Sequence, residues 1–380
     1  MTRLLLWLSR ILFGAVFIFS GFVKAIDPLG SAYKFQDYFM AFDVEWLSFT
    51  ALPLSILLSA LEFTIGVAVL LGIRMRYSAW GALLFMAFFT PLTLYIAITD
   101  PVPDCGCFGD ALIISNWDTF YKNLVILAAA LLIFFRRHNV KPLWSASRDW
   151  TLAGMTALAS VLLSVYCLMY LPVIDFRPWK VGNDMREQST PIPEMADIFL
   201  IYENQQTGET REYPSHDFPW DDPEWTAVWK YKDQRREVIQ PYVEAPISNF
   251  YIQDEFGQDL TEVYLFNPEY QLIVVAYDLG GTNRNAFRKR ITPLAWEAQR
   301  NDLSLIVLTG STYEQTEAFR HELQTPYPFY QSDEISLKTI IRSNPGLLLM
   351  KDGVVAGKWS HRKIPGMGEL QRQFSDLVSD

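Results

Sequence analysis

Cysteine is scarce. The 380-residue chain holds three, Cys105, Cys107 and Cys167, which suffices for thiol exchange but not for two pairs passing electrons in series. Histidine is almost as sparse: His138, His216, His321 and His361 are scattered along the chain and suggest no shared site. Lys and Arg nowhere gather into a surface that could neutralise phosphates, which removes nucleic acid as a partner. There is no Walker loop, no G-x-G-x-x-G after a strand, no H-E-x-x-H and no G-x-S-x-G, so nucleotide, zinc-protease and serine-hydrolase chemistry lack their residues and no cofactor is indicated. Aromatic residues are plentiful instead. With 12 Trp, 18 Tyr and 26 Phe, each half of the chain has the apolar mass for a packed core, and disorder is excluded.

Charge divides the chain in two. Residues 1–175 carry eleven Lys and Arg against eleven Asp and Glu, whereas residues 176–380 carry 21 against 31 and so hold the whole net charge of −10. The halves suit different solvents, and a soluble enzyme of one composition throughout is ruled out. Crossing the hydrocarbon takes about 20 apolar residues in helix. Five stretches qualify, at residues 4–25, 52–72, 78–99, 117–135 and 152–173, with Asn116 or Asp118 as the expected N-cap of the fourth. The first has a long apolar run and no small-residue cleavage site, so it reads as a retained helix rather than a secretory signal.

Basic residues set the expected orientation. Arg3 precedes the first span, Arg74 and Arg76 join the second and third, and Arg136, Arg137, Lys141 and Arg148 join the fourth and fifth. These sites belong in the cytoplasm. The opposite loops hold Asp27, Asp37, Asp43, Glu45, Asp100, Asp104, Asp110 and Asp118 against only Lys24 and Lys34, and face outward. Five spans then place the rest of the chain outside, which for a bacterial inner membrane means the periplasm.

Three features of this half could carry chemistry. Cys105 and Cys107 form a C-x-C pair in an outward loop, in a compartment that permits disulfides. Such a pair closes only as a small strained ring, and departures from relaxed disulfide geometry favour reduction, so exchange suits it better than stapling. Gly106 supplies the freedom that the ring needs. A static loop clip, two idle thiols and a metal site stand as alternatives, the last lacking nearby ligands. Flanking acids raise the thiol pKa values; Lys122, one turn into the fourth span, opposes them. Glu62, deep in the second span, is costly there and is a functional candidate beside a plainly structural reading, with Arg10, Lys122 and Tyr95 as candidate partners. Cys167, near the outer end of the fifth span, suits packing, with a third-thiol role open.

These residues also carry a resemblance. Residues 10–28 (RILFGAVFIFSGFVKAIDP) resemble the opening of DoxX-type membrane proteins, and residues 61–66 (LEFTIG), 105–110 (CGCFGD) and 119–123 (TFYKN) resemble signatures of the methylamine-utilisation MauE branch. The likeness covers about residues 3–135. It implies a four-helix membrane core tied to thiol or disulfide traffic outside the membrane, with the C-x-C pair as the reactive element. Quinone-coupled disulfide generators differ in using two cysteine pairs.

The second half opens with residues 175–182 (DFRPWKVG), whose aromatic and basic side chains suit the headgroup boundary. Residues 183–250 are rich in Pro, Trp and Asp, with a short hairpin expected at 199–203 and 210–213 around Thr207-Gly208. Residues 219–225 (PWDDPEW) read as a binding surface or, more plainly, as a linker packed by its tryptophans. From residue 247 the pattern is regular. Two short strands flank a turn within 251–260; a strand spans 272–277; a helix spans 282–300, carries Arg288, Lys289 and Arg290 and is kinked at Pro293. A strand at 303–309, a helix at 312–323, a strand at 329–331, a helix at 336–342, a hairpin at 346–351 and 354–359, and a helix at 367–377 complete the series. The order calls for a sheet with parallel members and helices on both faces.

That order resembles the thioredoxin-like fold over about 250–380, and residues 343–353 (SNPGLLLMKDG) are similar to the segment in which that family places a cis proline beside its active site. The loop at 276–285 (AYDLGGTNRN), where the family keeps Cys-x-x-Cys, has no cysteine. The resemblance then implies no thiol chemistry in this domain but a peptide groove at Asn344 and Pro345. The expected organisation is a DoxX/MauE-like four-helix transmembrane domain at 1–138, a fifth helix and outer anchor at 139–182, a Trp/Pro-rich connecting segment at 183–249, and an α/β thioredoxin-like domain without redox cysteines at 250–380. The expected function is assistance to thiol–disulfide processes outside the cytoplasm, through Cys105 and Cys107 with Glu62 and Lys122 as charged partners. The expected partners are the lipid bilayer and a separate periplasmic thiol carrier or protein client. The competing reading is a non-enzymatic scaffold whose thioredoxin-like domain is a binding module.

Overall fold

The computed structural model describes residues 2–140, 145–375 and 377. Lys141, one of the basic residues used for orientation, lies outside the described residues, as does Asp376 of the expected last helix. Among the described residues six α-helices come first: α1 (Thr2–Ile26), α2 (Pro28–Ala41), α3 (Ala51–Leu71), α4 (Met75–Thr99), α5 (Asn116–Arg136) and α6 (Ala146–Met169). Among the described residues, five helices are long and apolar enough to cross a membrane, and α2 is not one of them. Around the bundle Leu8, Leu57, Leu84, Phe88, Val125 and Leu162 point outward exposed. Such a belt would be costly in water but costs nothing in hydrocarbon.

Local chemistry sets the helix ends. Asp27 caps α2, its side chain accepting from the Gly30 N–H with Pro28 in the first turn. The sequence pattern places this segment in a loop, because it has no long apolar run. Gly72, at φ +76°, ends α3 in the left-handed conformation open to glycine. At α5 the cap is Ser115, which accepts from the Asp118 N–H, rather than Asn116 or Asp118. Asp118 is one turn in, where its charge suits the helix dipole, and the Asn116 side chain turns back to Asp100 and Val102. Within the bundle α1 packs closely on α3: a Cβ at Gly21 would stand 2.5 Å from the Phe63 amide nitrogen, and one at Gly66 would stand 2.7 Å from the Ile18 nitrogen. Only glycine permits that approach.

Residues 182–250 form a compact unit of their own. It contains α7 (Met185–Gln188), β1 (Met195–Asn204), β2 (Thr210–Pro214), α8 (Pro223–Val228) and β3 (Trp229–Gln240), with an antiparallel sheet in the order β2-β1-β3. The hairpin anticipated around Thr207-Gly208 is present. The long β3 was not anticipated, because its sequence, WKYKDQRREVIQ, is almost entirely polar and exposed and gives no apolar alternation. Asp222 and Pro223 start α8, and the Trp225 ring of that helix lies against Tyr202, Tyr213 and Trp229.

The remaining region is α/β. It runs through α9 (Thr261–Leu265), β4 (Tyr270–Val275), α10 (Arg284–Ala286), a π-helical turn (Phe287–Ile291), α11 (Thr292–Arg300), β5 (Ser304–Thr309), α12 (Tyr313–Leu323), β6 (Phe329–Gln331), α13 (Glu334–Ile340), β7 (Gly346–Lys351), β8 (Val354–Ser360) and α14 (Met367–Gln373). The sheet order is β6-β5-β4-β7-β8. β4, β5 and β6 are parallel; β7 and β8 run antiparallel. Every residue of β4 is buried, as a strand covered on both faces requires. Leu272, Val274, Val307, Leu347 and Leu349 pack there against Phe287, Leu294, Phe319 and Leu370.

Three expectations change here. Residues 251–260 form a turn with an isolated Gln253–Asp259 bridge instead of two strands, since the Asp254 carboxylate takes the Phe256 and Gln258 N–H groups that a ladder would need. The helix expected over 282–300 is split by the π-helical turn, and Pro293 lies in the first turn of α11, where its missing N–H costs nothing. In residues 175–182, expected at the headgroup boundary, two of the side chains that suggested it turn inward. Arg177 and Trp179 are buried; Arg177 and Lys358 both pair with Asp175, and Arg177 also donates to the Thr339 carbonyl. Within the same compact unit, Arg342 pairs with Asp27 at 2.9 Å and with Asp110 at 3.2 Å. The α/β region is thus fastened to the end of the bundle that carries the cysteine loop.

Candidate functional site

The loop between α4 and α5 is built to hold one shape. Asn116 donates from one amide nitrogen to Asp100 at 2.8 Å and to the Val102 carbonyl at 2.9 Å. The Gly106 N–H donates to Asp104, whose carboxylate pairs with Lys34 of α2 at 2.7 Å. Tyr38 of α2 donates to the Cys105 carbonyl at 2.9 Å. Gly106 itself sits at φ +65°, with Lys34 packed on it, and allows the chain to fold back so that its two neighbours face each other.

The Cys105 and Cys107 sulfurs stand 2.7 Å apart and both cysteines are unbridged. The loop thus places the two sulfurs to bond with each other. The electrostatics are asymmetric. The hydrogen bond from Cys105, aided by the Lys122 and Lys24 ammonium groups, holds the Cys107 thiol down at about 6 against its burial and the charge of Glu62. Sharing its proton with Cys107, together with burial, pushes the Cys105 thiol up. Cys107 is therefore the thiolate and Cys105 the proton-bearing neighbour. Burial also raises the Tyr38 phenol, which keeps it a donor.

Beneath the loop lies an ion pair. Glu62 is buried in α3 and its carboxylate accepts from Lys24 Nζ at 2.9 and 2.8 Å. Ser20 Oγ accepts from Lys24 at 2.9 Å and stands 2.8 Å from both a Glu62 oxygen and the Cys107 carbonyl. The partner of Glu62 is thus Lys24, not Arg10, Lys122 or Tyr95. Arg10 is spent on the Val69 and Leu70 carbonyls at the other end of α1, Tyr95 is exposed, and the Lys122 ammonium sits 4.3 Å from the centre of the Phe108 ring. Ser20 and Lys24 were missed as site residues. Their i, i+4 spacing on an otherwise apolar helix, which puts both on one face, was the available signal.

Cys105, Cys107, Glu62 and Lys122 all line one cavity of about 330 Å³, with walls from α1 to α5. Cys167 is buried in α6 and is not among its lining residues. Asn344 and Pro345 are not among them either. The Asn344 side chain donates to the Asp278 carbonyl at 2.7 Å and its own carbonyl accepts from the Asn283 N–H, which joins the segment before β7 to the cysteine-free loop after β4. The Asn344–Pro345 peptide bond is cis. Among the described residues no group of three or more His, Cys, Asp and Glu side chains is arranged to hold a metal ion.

The fold and the cavity define a multi-pass membrane protein whose helical bundle bears a thiol pair and continues into an α/β region. Residues 2–136 match the family described as methylamine utilisation protein MauE, and this stretch is a MauE-family domain. The match coincides with α1 to α5. No curated protein and no solved structure matches the chain.

Proposed function

We propose that the chain is a thiol–disulfide exchange protein of a bacterial inner membrane, of the wider DoxX type, with its N-terminus in the cytoplasm and the cysteine loop and α/β region in the periplasm. The observation that carries this reading is the Cys105–Cys107 pair, its sulfurs 2.7 Å apart in a loop pinned by Asn116, Tyr38 and Ser20. In exchange, the Cys107 thiolate attacks a partner disulfide, one partner sulfur leaves as thiolate, and Cys105 resolves the mixed disulfide by attacking Cys107, so two electrons pass to the partner as the pair closes. The reverse sequence oxidises a dithiol client. The α/β region, thioredoxin-like in its strand order, docks the thiol carrier or client through the groove beside Asn344 and Pro345. Arg342, two residues before Asn344, bonds to Asp110, three residues after Cys107. One observation favours a scaffold instead: the loop at 276–285 has no thiol of its own, as in a pure binding module.

Trapping separates the two. Cys105→Ser in cells quenched with acid and alkylated should yield a higher-mass adduct that reductant collapses, because the resolving thiol is gone, whereas Cys107→Ser removes the attacking thiolate and should yield much less. The double Ser variant should give none, and Cys167→Ser should leave the adduct intact. If neither single variant forms an adduct, the scaffold reading stands in its place.

A further inference from the structure

The cavity under the cysteine loop is far larger than exchange with a protein thiol requires. A volume of about 330 Å³ compares with the roughly 150 Å³ that takes up benzene in a protein interior. Its walls are aromatic, with Phe39 of α2, Phe85 and Phe89 of α4, and Phe108 of the loop. Polar groups line it as well, among them the two thiols, Lys24, Glu62, Lys122 and Asn123. Phe88, which is exposed on the outer side of the apolar helix α4, also lines it. The chamber is therefore reached sideways from the hydrocarbon. A water-soluble oxidant has no use for such a path, and a hydrocarbon tail alone has no use for the thiols and ammonium in its walls.

We propose that this cavity binds a membrane quinone, which accepts electrons from the Cys105–Cys107 dithiol. The proposal rests on the exchange reading and adds the terminal oxidant, so a single cysteine pair suffices: it takes electrons from a client dithiol and gives them to the ring. The balance is two electrons and two protons. The Cys107 thiolate bonds to a ring carbon; Cys105, 2.7 Å away, attacks the Cys107 sulfur as it loses its proton; the S–S bond forms and the S–C bond breaks, leaving its electron pair on the ring. The Cys105 proton and one proton taken up from water, which replaces the one Cys107 had already released, finish on the two ring oxygens, giving a quinol. The Lys122 ammonium, held over Phe108, stabilises the oxygen that gains negative charge on the way. Client thiols then reopen the disulfide and leave oxidised.

The test uses the full-length protein in phosphatidylcholine nanodiscs, reduced with dithiothreitol, freed of it under anaerobic conditions, and given decylubiquinone or menadione. One quinol should form per C-x-C pair, with the pair converted to a disulfide as read by alkylation and mass shift, and Cys105→Ser or Cys107→Ser should abolish quinol formation. Leu92→Trp, which fills the cavity from α4, should slow quinol formation about tenfold or more, whereas Leu162→Trp, on the outer face of α6 and away from the cavity, should not slow it. Equal rates for Leu92→Trp and the unaltered protein would move the reaction out of the cavity and overturn the assignment. A control with diamide separates this inference from the reading beneath it. If diamide closes the pair and dithiothreitol reopens it while neither quinone is reduced, the quinone site is refuted and exchange survives. If diamide cannot close the pair, both fail.

Discussion

A thiol 2.7 Å from a second thiol cannot titrate independently of it, and this coupling governs the chemistry at Cys107. With its pKa held at about 6, Cys107 carries its reactive charge above that pH, and its thiolate fraction falls about tenfold per pH unit below it. Alkylation of the reduced protein by iodoacetamide should therefore follow a titration centred near pH 6 at Cys107. In Cys105→Ala the hydrogen bond that is the chief cause of the shift is gone, so the midpoint should rise; a midpoint that stays put would assign the effect to Lys122 instead. The buried Lys24–Glu62 pair calls for a different test. Removing one partner strands a charge in the bundle, so Glu62→Leu alone should destabilise by about 3–5 kcal/mol, and Lys24→Met with Glu62→Leu should recover much of the loss. Thermal unfolding in detergent measures both. Glu62 was legible as a costly intramembrane carboxylate; its partner was not, because thirty-eight residues separate it from Lys24 and only the packing of two helices brings them together.

That packing is decided between helices. α1 and α3 approach closely because Gly21 and Gly66 expose bare backbone at their contact, and Lys24, one turn beyond Gly21, is thereby brought within reach of Glu62. A methyl at Gly21 must displace the Phe63 backbone. Gly21→Ala should cost about 1–3 kcal/mol and, by parting the helices, weaken the ion pair as well, so that adding Glu62→Leu to it costs less than Glu62→Leu does alone. Strictly additive melting shifts would mean that the contact and the ion pair are independent. The spans were readable from composition because a helix in hydrocarbon must be apolar along its length. α2 and β3 were not. α2 mixes Lys34, Asp37 and aromatic residues without a long apolar run, although Asp27-Pro28 marked its start, and β3 is polar on both faces because both are exposed.

For the whole molecule, the proposed orientation places the cysteine loop, α2 and the α/β region on one side of the membrane. An alkaline phosphatase fusion, active only in the periplasm, should be active when joined after Asp380 and silent when joined after Arg76. The reverse pattern would put Cys105 and Cys107 in a reducing compartment and remove the exchange reading. Arg342 and Lys358 join the α/β region to Asp27, Asp110 and Asp175, and Arg177 joins it through the Thr339 carbonyl, each partner far away in sequence.

What the sequence determined alone were properties local to a segment. These are the apolar lengths that need hydrocarbon, the C-x-C spacing that lets two thiols meet across one glycine, the capping and turn residues, and the alternation of strands and helices after residue 270. Each follows from the chemistry of neighbours within a few residues. Only the tertiary structure decided what depends on distant segments: that Glu62 pairs with Lys24, that Arg177 and Trp179 are buried rather than at a lipid surface, and that four residues nominated separately surround one aromatic chamber. Contacts of that kind are set by which helix faces meet, and helix faces are chosen by close packing at small residues such as Gly21, whose effect on a partner forty residues away leaves no trace in the local pattern.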